Sequence, residues 1–239
     1  MEQDYLYLYL CDRQFDAAFD KIDGLARYPW VGSEFANSDC RPLIIGDSHY
    51  ATDGKDFSQE ALEEFKDKES TRGVVNCVIK DKYKGEITWN MYEGLLKTFM
   101  DVSPEKVKAF WSKIAFYNFI QRVMGSPSEK SMRKDRIIGW KCLAGITNVL
   151  HPTSIIIARI ANWESIEVLN QIKDIKWENW IWDDAHKISR TSPAVAKIII
   201  PNQEIPITLI HHTSQGYSHN MWREYLEKRD PQMMAYLAK

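Results

Sequence analysis

The residues of this chain with the most chemistry per position stand where apolar runs stop. Leu43, Ile44 and Ile45 end at Gly46, and Asp47, Ser48, His49 and Tyr50 follow at once. Two chemistries fit those four. Ser48 could act as an acyl-transfer nucleophile. Alternatively, Asp47 could orient water or stabilise positive charge on a sugar while Tyr50 stacks on a ligand ring. The bland roles are as ordinary: an Asp here caps the following turn through backbone N–H groups, and a Tyr roofs the core.

Two other runs end in the same way. Asn118 follows "AFY", and its amide offers a donor and an acceptor side by side, which suits the edge of a nucleobase as well as the capping of a strand end. His211, His212, Thr213, Ser214 and Gln215 follow "ITLI". Neighbouring residues of a strand point to opposite faces, so only one of the two histidines faces a given cleft. An imidazole there could donate to a developing oxyanion. His211, His212 and His219 lie close in sequence, but no helix face or CxxC spacing joins them, so no metal site is expected. "GDSHYATDG" has neither GxGxxG nor P-loop spacing, and no cofactor is expected.

The elements that must position these residues can be placed from the pattern. "PLIIG", "KIAFYNFIQ", "TSIIIARI", "AKIII" and "IPITLI" read as strands, the last two joined by a turn at "PNQE". "DFSQEALEEFKDKE", "TWNMYEGLLKTFM", "NWESIEVLNQIK" and "SHNMWREYLEKR" read as helices, and a further helix follows the loop opening at "SPSEK". Ser103 followed by Pro104 and Glu105 is a helix start. "TRGVVNCVIKDKY" fits either strand or helix. Continuous apolar strands alternating with helices predict an α/β three-layer sandwich with a central, mostly parallel, four-stranded sheet. The expectation is one domain over residues 1–239, with 1–40 as an N-terminal helical extension. Ligands of such sheets bind at the carboxyl ends of the strands. Those ends carry Asp47 to Tyr50, Asn118 to Gln121, Arg159 to Trp163, and His211 to Ser218.

In their order, these strand ends resemble the uracil-DNA glycosylase superfamily. "IIGDSHY" is similar to that family's G-Q-D-P-Y or G-E-A-P-G loop, "IAFYNF" to its strand ending in Asn, "SIIIARIANWESI" to its third strand and helix, and "LIHHTSQGYSH" to its H-P-S loop. The resemblance runs from about residue 42 to 226. It implies DNA as partner and a pocket for a flipped base. Asp47 and His212 would be catalytic, His212 stabilising charge on the departing base. Asn118 would hydrogen-bond the base edge, with Tyr50, Ser48 and His49 walling the pocket. Ser214, Gln215 and Tyr217 would approach DNA. The chain departs from the family pattern at Ser48, His49, Thr213 and Gly216. The superfamily's iron–sulfur branch has four suitably spaced cysteines, whereas Cys11, Cys40, Cys77 and Cys142 are scattered, so no cluster is expected.

A rival resemblance is to SGNH-type esterases and acyltransferases, with Ser48 as nucleophile and Asp183 and His186 of "WDDAHK" as its partners. Against it, two strands follow His186. A third class is a nucleic-acid-binding module without catalysis, using clusters such as "KSMRKDR" at 130–136, although a charge run is usually a solvated face. With 31 Lys plus Arg against 33 Asp plus Glu, net charge −2, the protein does not bind nucleic acid by bulk charge. The first residues lack a signal-peptide pattern and no apolar run reaches the roughly 20 residues of a membrane span, so a cytoplasmic location with reduced thiols is expected.

Overall fold

The computed structural model describes residues 7–53, 56–83, 90–126, 128–158, 165–173, 175–213 and 216–239. In chain order, a 3-10 turn (Leu8–Leu10) and a four-residue helix α1 (Asp16–Phe19) precede β1 (Trp30–Val31) and β2 (Pro42–Gly46). A small hairpin pairs β3 (Thr52–Asp53) with β4 (Asp56–Phe57). Then come α2 (Gln59–Glu64), α3 (Ser70–Tyr83), α4 (Asn90–Phe99), α5 (Pro104–Lys113), β5 (Ala115–Asn118), α6 (Arg133–Leu150) and β6 (Ser154–Ile157). A 3-10 helix (Ile166–Gln171) leads to β7 (Lys176–Trp182), β8 (Ala194–Ile200) and β9 (Gln203–Leu209), and α7 (His219–Arg229) and α8 (Pro231–Ala238) close the chain.

The main sheet is α/β in character and mixed, with seven strands in the order β1-β5-β2-β6-β9-β8-β7. Its centre, β5-β2-β6-β9, is parallel. β1 is antiparallel to β5, β8 to β9, and β7 to β8. The expected count of four strands is thus corrected to seven. Of the three strands beyond the parallel four, β8 contains the "AKIII" run expected as a strand, whereas β1 and β7, at the two edges, hide their pattern. β1 has only two residues, too few for a period. β7 carries a register shift between Glu178 and Ile181, and a bulge of that kind breaks strict alternation. β8 alternates cleanly, and its tight turn to β9 at Pro201–Asn202 uses a left-handed Asn202, φ 67°.

The central strands are continuous apolar runs because both their faces are covered. All residues of β2, β5 and β6 are buried. Ile44, Phe116 and Ile156 face one layer, where they meet Val75, Leu96, Trp111 and Trp222 from α3, α4, α5 and α7. Leu43, Ile45, Tyr117, Ile155 and Ile157 face the other, against Trp140, Leu143 and Ile146 of α6 and Leu169. The ambiguous segment around Val74–Val78 is helical in α3. Ser103 caps α5 as expected, its side chain accepting from the Lys106 N–H with Pro104 in the first turn.

The leading segment differs from a helical extension. Its α-helix is a single turn, Gly24 at φ 83° reverses the chain, and β1 enters the main sheet. Arg72 of α3 fastens this segment. Its side chain is 0% exposed. Its guanidinium donates to both Asp16 carboxylate oxygens, to Glu69 and to the Pro29 carbonyl, and it lies 4.9 Å from the centre of the Tyr28 ring.

Removing one partner of a buried ion pair leaves the other charge uncompensated. Arg72→Ala is therefore expected to lower the unfolding free energy by about 3 kcal/mol or more, measured by urea titration. A loss within about 0.5 kcal/mol, typical of surface substitutions, would show that the leading segment is not held through this residue.

Candidate functional site

In the parallel core, the chain leaves β2 to form β5 on one side and returns to form β6 on the other. The order of strands therefore turns at β2. In open α/β sheets the crevice outside such a turning point is where ligands bind. The carboxyl end of β2 is Gly46, followed by Asp47 to Tyr50.

This end is held by backbone pairing that continues past the strands. Gly46 is opposite Asn118 in the β2–β5 register. Beyond them, Phe119 N–H donates to Gly46 O, Ile120 N–H to Asp47 O, Met124 N–H to His49 O, and Ala51 N–H to Met124 O. The 46–51 and 118–124 loops thus form one zipped layer, and Asp47 and Asn118 have a fixed relation.

Two groups of side chains sit on that layer. In the first, Asp47 is 2% exposed, and its Oδ2 accepts from the Tyr50 hydroxyl at 3.1 Å and from Ser48 Oγ at 3.3 Å. Ser48 is thereby an orienter of Asp47. In the second, Asn118 Nδ2 and Thr71 Oγ1 of α3 each lie 3.1 Å from His49 Nε2. The His49 ring stacks on Phe65, with centroids 4.6 Å apart at 28°. Burial, and then the charge of Arg27, bring the His49 pKa down to about 3.

Arg27 is buried and donates to two carbonyls, Phe65 O at 2.7 Å and Gln121 O at 2.5 Å. Burial pulls its pKa down to about 10. Gln121 links onward, donating to Asn118 O at 2.7 Å and accepting from the Ala26 N–H. Arg27, Phe65, Thr71 and Gln121 form the frame of the site. Of these the sequence marks only Gln121, as part of a strand end; Thr71 lies in the segment of ambiguous period, and Arg27 and Phe65 carry no motif.

The third strand end is that of β9. Ile210 N–H donates to Ile157 O, so the β6–β9 pairing also runs past the strand. His211 and His212 follow, two strand spacings from β2, which is about 10 Å across the sheet. His211 Nδ1 donates to His212 O at 3.0 Å, and His212 is half-buried. Thr213 is buried, and its hydroxyl donates to the Met91 carbonyl of α4. A Cβ at Gly94 would lie 2.2 Å from Thr213 O, so glycine there permits the loop to touch the helix.

The structure therefore brings Asp47, Ser48, His49, Tyr50 and Asn118 together and sets His212 at the same end of the sheet. Ser214, Gln215 and the strand end from Arg159 to Trp163 lie outside the described residues. Tyr217, expected at a DNA surface, is held inward. Its hydroxyl is 2.8 Å from Thr98 Oγ1, and its ring lies parallel to Trp222 at 6.1 Å. Burial pushes its phenol pKa up.

The esterase partners are not assembled with Ser48. Asp183 Oδ1 and His186 Nδ1 are 2.9 Å apart, and Tyr225 donates to Asp183 Oδ2, but this pair follows β7. Four strand spacings, about 19 Å, separate β7 from β2. Among the described residues no group of three or more His, Cys, Asp or Glu could hold a metal ion, and no helix is long and apolar enough to cross a membrane.

The state of His49 has a measurable consequence. In the unfolded chain its imidazole takes up a proton near pH 6.5, but in the fold only near pH 3. Its contribution is thus whole above pH 6.5 and is lost as the pH falls from there toward 3, by about 1.4 kcal/mol per pH unit inside that window. Urea unfolding of wild type and His49→Gln at pH 7.5, 6 and 5 should show the stability gap between them shrinking as the pH drops. A constant gap would mean that the ring is not kept neutral. In comparisons with known proteins the chain matches no family model and no curated protein, so the chemistry of the site rests on its own geometry.

Proposed function

We propose that the chain is a uracil-DNA glycosylase-like protein that binds a flipped nucleobase in DNA and hydrolyses its N-glycosidic bond. One observation carries this reading: Asp47, Asn118 and His212 follow three parallel strands of one sheet at the same end, beside the strand where the order turns. A base seated there would meet the Asn118 amide and the Asp47 carboxylate, with His212 two strand spacings away. Developing positive charge on the sugar is stabilised by Asp47, which also orients water. Developing negative charge on the base is stabilised by a donor from His212. Tyr50, bonded to Asp47, walls the pocket.

The start of α6 adds support for a nucleic-acid partner. It follows the carboxyl end of β5, so the exposed Lys130, Arg133 and Lys134 stand at the same end of the sheet as the site. Arg133 is 3.3 Å from Glu167, and Lys130 and Lys134 beside it are placed to meet phosphates.

The test is to incubate the protein with single- and double-stranded DNA carrying uracil or another altered base, and to score abasic sites. Asp47→Asn and His212→Ala should each slow base release by about a hundredfold or more, whereas Ser48→Ala should act only modestly through Asp47. Salt-sensitive binding without abasic sites would mean a non-catalytic nucleic-acid module. Cleavage of a p-nitrophenyl ester that is lost in Ser48→Ala would replace the reading with the esterase one.

A further inference from the structure

The main sheet ends differently at its two sides. At one edge, β1 is two residues long, too short to take on a further strand. At the other, β7 runs for seven residues, and among the described residues no strand pairs with its outer side. In an antiparallel edge strand every second residue turns its N–H and C=O outward. Such a row is a template for another strand, and proteins blunt it with charge, a bulge or a cover. β7 carries charge only in its first half, at Lys176 and Glu178, and its bulge is at the middle. In its second half Ile181 is 57% exposed and Trp182 39%.

The order of charges along this edge says what fits it. Lys173 and Lys176 stand at the start, and Asp183 and Asp184 just past the end; Lys173, Lys176 and Asp184 are exposed. A second β7 laid antiparallel brings lysines against aspartates at both ends, whereas like charges set side by side would repel. The bulge gives the register. Lys176, Glu178 and Ile181 lie opposite Ile199, Lys197 and Val195 of β8 and so share one face of the sheet, while Trp177 and Trp182, opposite Ile198 and Ala194, share the other. A two-fold axis through the bulge sets Lys176 beside the partner's Asp183, Trp177 beside the partner's Trp182, and Ile181 beside the partner's Glu178. Each side chain then meets one on its own face.

We propose that β7 is a dimerisation edge, at which a second copy of this chain pairs antiparallel about a two-fold axis and continues the sheet from one copy into the other. The contact stands apart from the function proposed above and does not depend on it. It uses the same patch twice, and with β1 too short to add a strand the assembly closes at two copies. β7 is about 19 Å from β2 across the sheet, so the strand-end site stays open in the dimer. The two-fold axis reverses the strand direction. The two sites therefore open at opposite ends of the joined sheet and act on separate ligands.

The experiment is analytical ultracentrifugation of the full chain over a series of concentrations. The protein should be dimeric at about 100 µM and monomeric below about 0.1 µM, as suits a contact made along one strand edge. Ile181→Lys and Lys176→Glu should each raise the dimer dissociation constant about tenfold or more, with circular dichroism showing the fold retained. A chain that stays monomeric at about 100 µM overturns the proposal and leaves the edge to a strand of some other protein. Oligomers that keep growing with concentration, or a dimer that both substitutions leave as tight as before, overturn it too, because each puts the contact elsewhere. Amide hydrogen exchange of the wild type needs no variant that folds: exchange in β7 should slow at the high concentration relative to the low one, and equal exchange at both overturns the proposal.

Discussion

Everything at the candidate site depends on the parallel register that sets Gly46 opposite Asn118. β2 is buried on both faces and paired along both edges, so its position is over-determined by the core. The backbone bonds that continue the β2–β5 pairing carry this certainty beyond the strand ends, into loops that would otherwise be the least defined part of the molecule. A one-residue slip of register would turn the apolar set of β2 to the opposite face. Asp47 and Asn118 are thus as well placed as the core itself, which is what a site acting by geometry requires.

Two buried arginines complete the frame, and they do so by different physics. Arg72 is matched by the carboxylates of Asp16 and Glu69 and fastens the leading segment to α3. Arg27 donates to the carbonyls of Phe65 and Gln121, and its charge helps to keep His49 neutral. The leading segment therefore belongs to the site's support. A cation with dipoles for partners costs more to bury than one with carboxylates, and its place beside His49 is where that cost has an effect.

The parts legible in the sequence were those with a strong period or a sharp stop. "PLIIG", "AFYN" and "SIII" announced buried parallel strands because both their faces are covered. The polar residues just after them announced a strand-end site. Ser103-Pro104-Glu105 announced its helix. What stayed hidden depends on contacts between distant residues. β7 is bulged, β1 is too short, and α3 has an apolar pattern compatible with two periods. Thr71 and Phe65 acquire meaning only through His49, and the inward turn of Tyr217 only through Thr98 and Trp222. No local pattern encodes these. His49 was legible as a residue, but its contact with Asn118 was not, because the two are 69 positions apart.

The loop after β9 meets α4 along a single line. Thr213 bonds the carbonyl of Met91, rests on Gly94, and is followed by Tyr217 bonded to Thr98. Residues spaced by three and four share one side of a helix. Arg223 of α7 then donates to the carbonyls of Lys97, Thr98 and Met100 at the helix's far end. Thr213 and Tyr217 thus hold to one stripe of α4, and Arg223 of α7 holds its far end. Swinging His212 as a flap would have to break the Thr213–Met91 bond or carry α4 along. With that bond intact, whatever widens that wall must carry helix and loop together, as a door moves with its frame.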